Sequence, residues 1–278
     1  MRLLVTGAAG GLARSFLSHI GGHHEVHALT RHDLDVGDVD AVMRTVPLLE
    51  PDAILNFAAF TNVDRNETDP ARAFRDNALG PHHLALGART CRAALLHVST
   101  DYVFDGAKAA AYDETDAPNP LSTYGRAKLA GEERVRATLV EHVIVRTGYV
   151  FGGGGDYLSG QLERLRNGLD AAGLEDRTGT PTFVGHLADR LLPLLFARRW
   201  GTYHLAGPEP TSWYEVLLRA RGIFGFAGDV RPQRADDLDL PAPRPVNSAL
   251  TSVFLEHLGI APIPSLDDGL RAMTTSQH

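Results

Sequence analysis

The chain has 278 residues and a net charge of −7, from 27 basic and 34 acidic side chains. That balance excludes broad, non-specific nucleic-acid binding, and 44% hydrophobic against 22% charged residues excludes a disordered chain. The single cysteine, Cys91, excludes an internal disulfide framework and cysteine-based zinc sites. No apolar run reaches the roughly 18 residues of a membrane span and no signal-peptide pattern opens the chain, so a cytoplasmic protein without membrane or nucleic-acid partners is expected. One count stands apart: only Lys108 and Lys128 are lysines, and the other 25 basic residues are arginines.

In chain order, Arg2 to Thr6 is a short apolar run, as in a buried parallel strand. A glycine turn, Gly7 to Gly11, leads into a helix over Leu12 to Ile20. Glu25 to Leu29 reads as a strand, 38–49 as a helix and 53–58 as a strand. The stretch 69–94 is predicted largely helical, 95–99 a strand, 124–140 a helix and His142 to Thr147 a strand. Strands alternating with helices predict an α/β fold, a doubly wound parallel sheet of Rossmann type. After Val150 the pattern loosens. A glycine-rich loop at 151–156 precedes helices predicted at 157–169 and 187–199 and a strand-like run at 201–205. The proline- and aspartate-rich stretch 231–245 reads as a surface loop and 251–258 as a short helix. The expected organisation is a nucleotide-binding domain over 1–150, rejoined by about 182–207. A smaller, loop-rich substrate lobe would comprise 151–181 and 208–278.

Gly7-x-x-Gly10 after a strand and before a helix is a phosphate-binding turn: glycine lets the backbone approach an anion, and the helix N-terminus offers it free N–H groups. The third position of the fingerprint holds Ala13, which is still small. At the end of the second strand, where a carboxylate would favour NAD, stand Thr30 and Arg31. A hydroxyl and a guanidinium suit a 2′-phosphate, so NADPH is expected, with NADH possible in principle. Asp35, before Val36, lies where a carboxylate would receive the adenine amino group.

Tyr124-x-x-x-Lys128 puts a phenol and an ammonium on one helix face. The ammonium is expected to draw the phenol's proton affinity toward neutrality and to make Tyr124 a general acid toward a carbonyl oxygen. In a chain that otherwise uses arginine, a lysine here points to a need for a compact ammonium. Thr100 follows the strand ending at Ser99, on the carboxyl side where ligands of open α/β sheets bind, and can hydrogen-bond the same oxygen.

Together with Asn56-Phe57-Ala58-Ala59, Ser99-Thr100-Asp101-Tyr102-Val103-Phe104-Asp105-Gly106, Tyr124 to Glu132 and Arg244-Pro245-Val246-Asn247-Ser248, these segments resemble the extended short-chain dehydrogenase/reductases. The finer likeness is to the dTDP-4-dehydrorhamnose reductase family, over nearly the whole chain. The resemblance implies reduction of the C4 ketone of a dTDP-4-keto-6-deoxy sugar in deoxysugar biosynthesis, with Thr100, Tyr124 and Lys128 as the catalytic group. It implies cofactor contacts at Gly7, Gly10, Gly11, Leu12, Arg31, Asp35, Val36, Phe57, Ala58, Ala59, Thr61, Asn77, Tyr124 and Lys128. Sugar contacts are implied at Val63, Thr100, Asp101, Tyr102 and Tyr149, and a diphosphate contact at Arg244. The family usually has tryptophan where Tyr149 stands, which leaves the sugar's substituents and stereochemistry open.

Some members bridge subunits through a metal held by glutamates. The matching positions here hold Ser15 and His186, with Thr274-Thr275 near the third, so no metal site is expected and the assembly is a monomer or a homodimer without such a bridge. The adjacent pairs His23-His24 and His82-His83 diverge in direction and read as solvated residues. Cys91 is expected buried, the 191–196 run core, and Trp213 and Tyr214 packed in the second lobe with a substrate-side role open to both. An alternative of another class is a non-catalytic, cofactor-binding regulatory subunit, like that of methionine adenosyltransferase.

Overall fold

Five apolar runs become the strands of one parallel sheet in the computed structural model, which describes residues 1–275, the side chains of residues 274 and 275 excepted. They are β1 (Arg2–Thr6), β2 (Glu25–Leu29), β3 (Ala53–Asn56), β4 (Ala94–Thr100) and β5 (His142–Thr147). A sixth strand, Gly201–His204, pairs in parallel with β5, giving the order (Gly201–His204)-β5-β4-β3-β1-β2. β3 is buried at every residue, as expected of a strand covered on both faces. Because β2 and β3 leave β1 on opposite sides, the chain reverses direction beside β1, and a crevice opens at its carboxyl end.

The helices are α1 (Gly11–His19), α2 (Val39–Leu49), α3 (Val63–Thr68), α4 (Pro70–Phe74), α5 (Gly80–Cys91), α6 (Thr123–Thr138), α7 (Tyr157–Arg166), α8 (Val184–Phe196), α9 (Trp213–Phe224) and α10 (Leu266–Thr275). Side-chain caps fix several starts: Asp38 accepts from the Ala41 N–H, and Ser122 from the Gly125 N–H at the head of α6. One face of the sheet is packed by Leu4, Ile54, Leu95 and Ile144 with Val42, Leu84 and Val135 of α2, α5 and α6. Leu3, Leu55 and Val145 meet Phe16 of α1 and Leu187 and Leu191 of α8 on the other. Leu255, Ile260 and Ile263 join that second cluster, so the expected boundary at residue 208 is crossed by the chain's own core. A separate cluster of α7, α9 and α10, with Leu158, Leu217 and Leu270, builds the smaller lobe.

Several expectations are corrected. The 69–94 helix is interrupted by a π turn at Arg75–Leu79, and Ala94 already belongs to β4. The 231–245 loop begins inside a strand, Val230–Gln233, paired in parallel with Ala171–Leu174. Of the 251–258 helix only a 3-10 turn at Glu256–Leu258 forms, because the Ser252 hydroxyl takes the Phe254 and Leu255 N–H groups. The 157–169 helix stops at Arg166, ahead of Gly168 at φ +70°. Cys91 is only half-buried, against Val46.

Candidate active site

The crevice beside β1 is a cleft of about 710 Å³. Gly7 turns there with φ +68°, and a Cβ on it would lie 2.6 Å from the Ala58 backbone nitrogen, so only glycine lets the turn after β1 pass the segment after β3. Along this end the cleft is lined by Gly7, Gly10, Gly11 and Leu12, by Arg31, Asp35 and Val36, and by Phe57, Ala58, Ala59 and Thr61. Phe57 to Thr61 is held from behind. The Asn77 amide oxygen accepts from the Phe60 N–H at 2.8 Å, while its nitrogen donates to the Phe60 carbonyl and to Asn66. Asn77 itself is fully buried and does not line the cleft, a correction to its expected cofactor contact: its amide groups are already spent on the loop.

Arg31 reaches the cleft on a half-exposed side chain, but its guanidinium rests against carboxylates, 3.3 Å from Asp76 and 3.7 Å from Asp35. Asp35 in turn accepts from Arg75 at 2.6 Å and from the Gly37 N–H at 3.0 Å. Both oxygens of Asp35 are therefore engaged within the protein, and an adenine amino group would have to compete with them.

Thr100, Tyr124 and Lys128 line one stretch of the same cleft. β4 carries Thr100 at its carboxyl end and α6 carries the other two, with Ser122 capping the turn that contains Tyr124. The Thr100 hydroxyl donates to Asp101 Oδ1 at 2.9 Å and accepts from the Tyr102 N–H. Burial pushes the Tyr124 phenol up to about 12, and Asp101 adds to this while a hydrogen bond with Thr100 works against it. The expectation that Lys128 draws the phenol toward neutrality is thus corrected. Lys128 is fully buried, donates to the Val98 carbonyl at 2.6 Å and is itself brought down to about 8 by loss of water. Asp101 is enclosed without a cation within 4 Å among the described residues. It takes hydrogen bonds from Thr100 and Ser248, and burial raises it to about 6.

Val63, Asp101, Tyr102 and Tyr149 line the far end, where Tyr149 stacks flat on Trp213, 4.7 Å between ring centroids and 2° between planes. Tyr149 holds φ +48°, a strained value for a tyrosine, two residues past the end of β5. Arg244 does not line the cleft: it donates to Asp64 at 2.8 Å and to the Ala242 carbonyl at 2.9 Å, tying the second lobe to the start of α3. That corrects its expected place, since the guanidinium is turned toward α3. Gly153 to Tyr157 also line the cleft, unassigned from the sequence although the glycine run at 152–155 was a visible signal, and Trp213, for which a substrate-side role was open, lines it too. Ser15 and His186 lie together around a second depression between α1 and α8, and the side chains of Thr274 and Thr275 lie outside the described residues.

A glycine turn at a sheet's switch point, beside a threonine and a YxxxK helix, defines a dinucleotide-dependent oxidoreductase of the short-chain type. The model of the RmlD substrate binding domain matches residues 1–278, and the chain belongs to that family. A dTDP-4-dehydrorhamnose reductase of Mycobacterium tuberculosis is 37% identical, over 94% of this chain and 88% of that protein. Among solved structures, a dTDP-4-dehydrorhamnose reductase of Clostridium acetobutylicum superposes with TM-score 0.96 at 31% identity, covering 100% of this chain and 99% of that one. One from Bacillus anthracis, solved in complex with NADP, also superposes with TM-score 0.96, at 27% identity over 99% of both chains.

Proposed function

We propose that the protein is an NADPH-dependent reductase of the C4 ketone of a dTDP-4-keto-6-deoxy sugar, acting in deoxysugar biosynthesis in the cytoplasm. One observation carries this reading: Thr100, Tyr124 and Lys128 converge on the cleft that the Gly7 turn opens, in a chain of this family. The residues fit a dinucleotide, since the Gly7 turn can pack against the Ala58 backbone only as glycine and leads straight into the head of α1 beside the cleft. Gly7, Gly10, Gly11 and Leu12 would hold the diphosphate, Arg31 the 2′-phosphate and Lys128 the ribose beside the nicotinamide. NADPH, when bound, supplies the hydride that adds to C4.

The chain's own part is positioning and proton supply. Tyr124, held as a neutral phenol by its burial, donates its proton to the ketone oxygen as the alkoxide forms. Thr100 steadies that oxygen from the β4 side. Val63, Asp101, Tyr102 and Tyr149 contact the sugar, and the Tyr149–Trp213 stack forms the wall that replaces the family's tryptophan. Asn77 acts through the Phe60 backbone it braces, and Arg244 through the Asp64 carboxylate beside Val63. The assembly is a monomer or a homodimer, which sedimentation of the purified chain separates.

The test is loss of NADPH absorbance with a panel of dTDP-4-keto-6-deoxyhexoses. Turnover with at least one of them is expected. No turnover across the panel, with NADPH bound but unconsumed and a partner protein co-purifying in stoichiometric amount, would instead mark a regulatory subunit.

A further inference from the structure

His97 has no place in the mechanism above, yet it lies fully buried in β4, directly behind the cleft wall. Its protonation can be worked out from its neighbours. The Ala58 backbone N–H, which can only donate, points at the side-chain oxygen of Asn56 at 3.1 Å, and the Thr6 hydroxyl donates to the same oxygen at 2.8 Å. The orientation of the Asn56 amide is thereby fixed. Its nitrogen then faces His97 Nδ1 at 3.0 Å, so Nδ1 accepts. A neutral imidazole accepting at Nδ1 carries its proton on Nε2. That Nε2–H faces the Lys128 nitrogen at 3.5 Å.

We propose that His97 is a positioning residue for Lys128: locked by Asn56 as the Nε2–H tautomer, it turns an N–H rather than a lone pair toward the lysine and favours the amine over the ammonium. An amine can accept from that N–H, whereas an ammonium meets it donor to donor. Of the groups facing the lysine, the Val98 carbonyl at 2.6 Å favours the ammonium, and the ionisable ones are uncharged or already paired. Tyr124 is an uncharged phenol one turn earlier on α6. Glu132, one turn later, favours the ammonium but is held by Arg146 of β5 and Arg136 of α6. His97 is kept neutral by its burial and by Lys128.

The proposal deepens the reductase reading and rests on it for its purpose. When the Tyr124 O–H bond breaks and its proton joins the sugar oxygen, a proton of the Lys128 ammonium, which predominates below its titration near 8, passes to the phenolate. The phenol is restored, the amine left behind accepts from His97, and water returns the proton to the amine.

The test needs no substrate, because the chain has two lysines. Labelling with ¹³Cε-lysine gives two resonances, and Lys108→Arg assigns them. Lys128 is expected to titrate near 8 in the parent, and about one unit or more higher in His97→Leu. A parent Lys128 titrating in the ordinary range near 10.5 overturns the proposal. So does a folded His97→Leu whose Lys128 titrates as in the parent. Long-range ¹⁵N NMR of labelled histidine gives a second arm: His97 is expected with its proton on Nε2, and a proton on Nδ1 overturns the assignment. Failure of the reductase reading would show separately, as no turnover by the parent.

Discussion

At the scale of single residues, the site is governed by which polar groups are kept from water. Asp101 is an enclosed carboxyl that accepts from two hydroxyls and meets no cation among the described residues, and its proton is held up to about 6 from 3.8. The sign follows from linkage: between these values the unfolded chain releases the proton and the folded one keeps it, so stability falls as pH rises through that window and is flat above it. Relative to Asp101→Asn, the parent should therefore lose on the order of 2 kcal/mol between pH 3.5 and 7. Urea unfolding of both proteins at the two pH values measures it, and a difference independent of pH would contradict the burial argument. Lys128→Arg tests the other end of the site. The buried lysine nitrogen donates to the Val98 carbonyl at 2.6 Å as a compact ammonium, a geometry that the larger planar guanidinium does not reproduce. Activity should fall at least about 100-fold, with the circular dichroism spectrum unchanged. A variant as active as the parent would mean that charge alone suffices.

At the scale of elements, the frame was legible because its signals are local. β2 and β5 run over the residues their apolar patterns mark, and α2 and α6 begin where Asp38 and Ser122 cap them. Elements were missed where a signal was masked. Pro232 hides the strand Val230–Gln233, and α9 went unread although Ser212 and Glu215 form a capping box. His97, Asn77 and Arg244 could not be placed by motif, because their partners are distant in sequence and only the fold assembles them. The turn after β1 gives an element-scale prediction. Gly7→Ala puts an alanine at φ +68° against the Ala58 backbone, which costs more than about 1 kcal/mol and shifts the loop that would meet the diphosphate. Thermal melting should drop, and NADPH affinity by fluorescence titration should weaken at least about tenfold. Unchanged binding would place the dinucleotide elsewhere. Gly125 is a similar device: a side chain there would run into the Tyr102 carbonyl oxygen and push the Tyr124 turn off the turn that follows β4. The variant Gly125→Ala should lose activity along with stability.

At the scale of the whole molecule, the cleft is walled by both parts of the chain, with the segments after β1 and β3 and the end of β4 on one side and Val184 of α8, Tyr157 of α7 and Trp213 of α9 on the other. A ligand that bridges these walls binds the folded chain alone and must raise its melting point. NADPH at about a hundred times its dissociation constant should add about 2.7 kcal/mol. That is a rise of several degrees in the melting temperature, against no rise with an unrelated nucleotide of equal charge. The proposed reaction itself is transfer of a hydride to C4 of a nucleotide-linked 4-keto-6-deoxyhexose in this cleft. It is measured most directly with NADPH carrying deuterium at the transferred position, followed by proton NMR of the sugar product. The account predicts a single deuterium on C4, which now bears a hydroxyl in one configuration. Product with protium at C4, or deuterium at any other carbon, would contradict it.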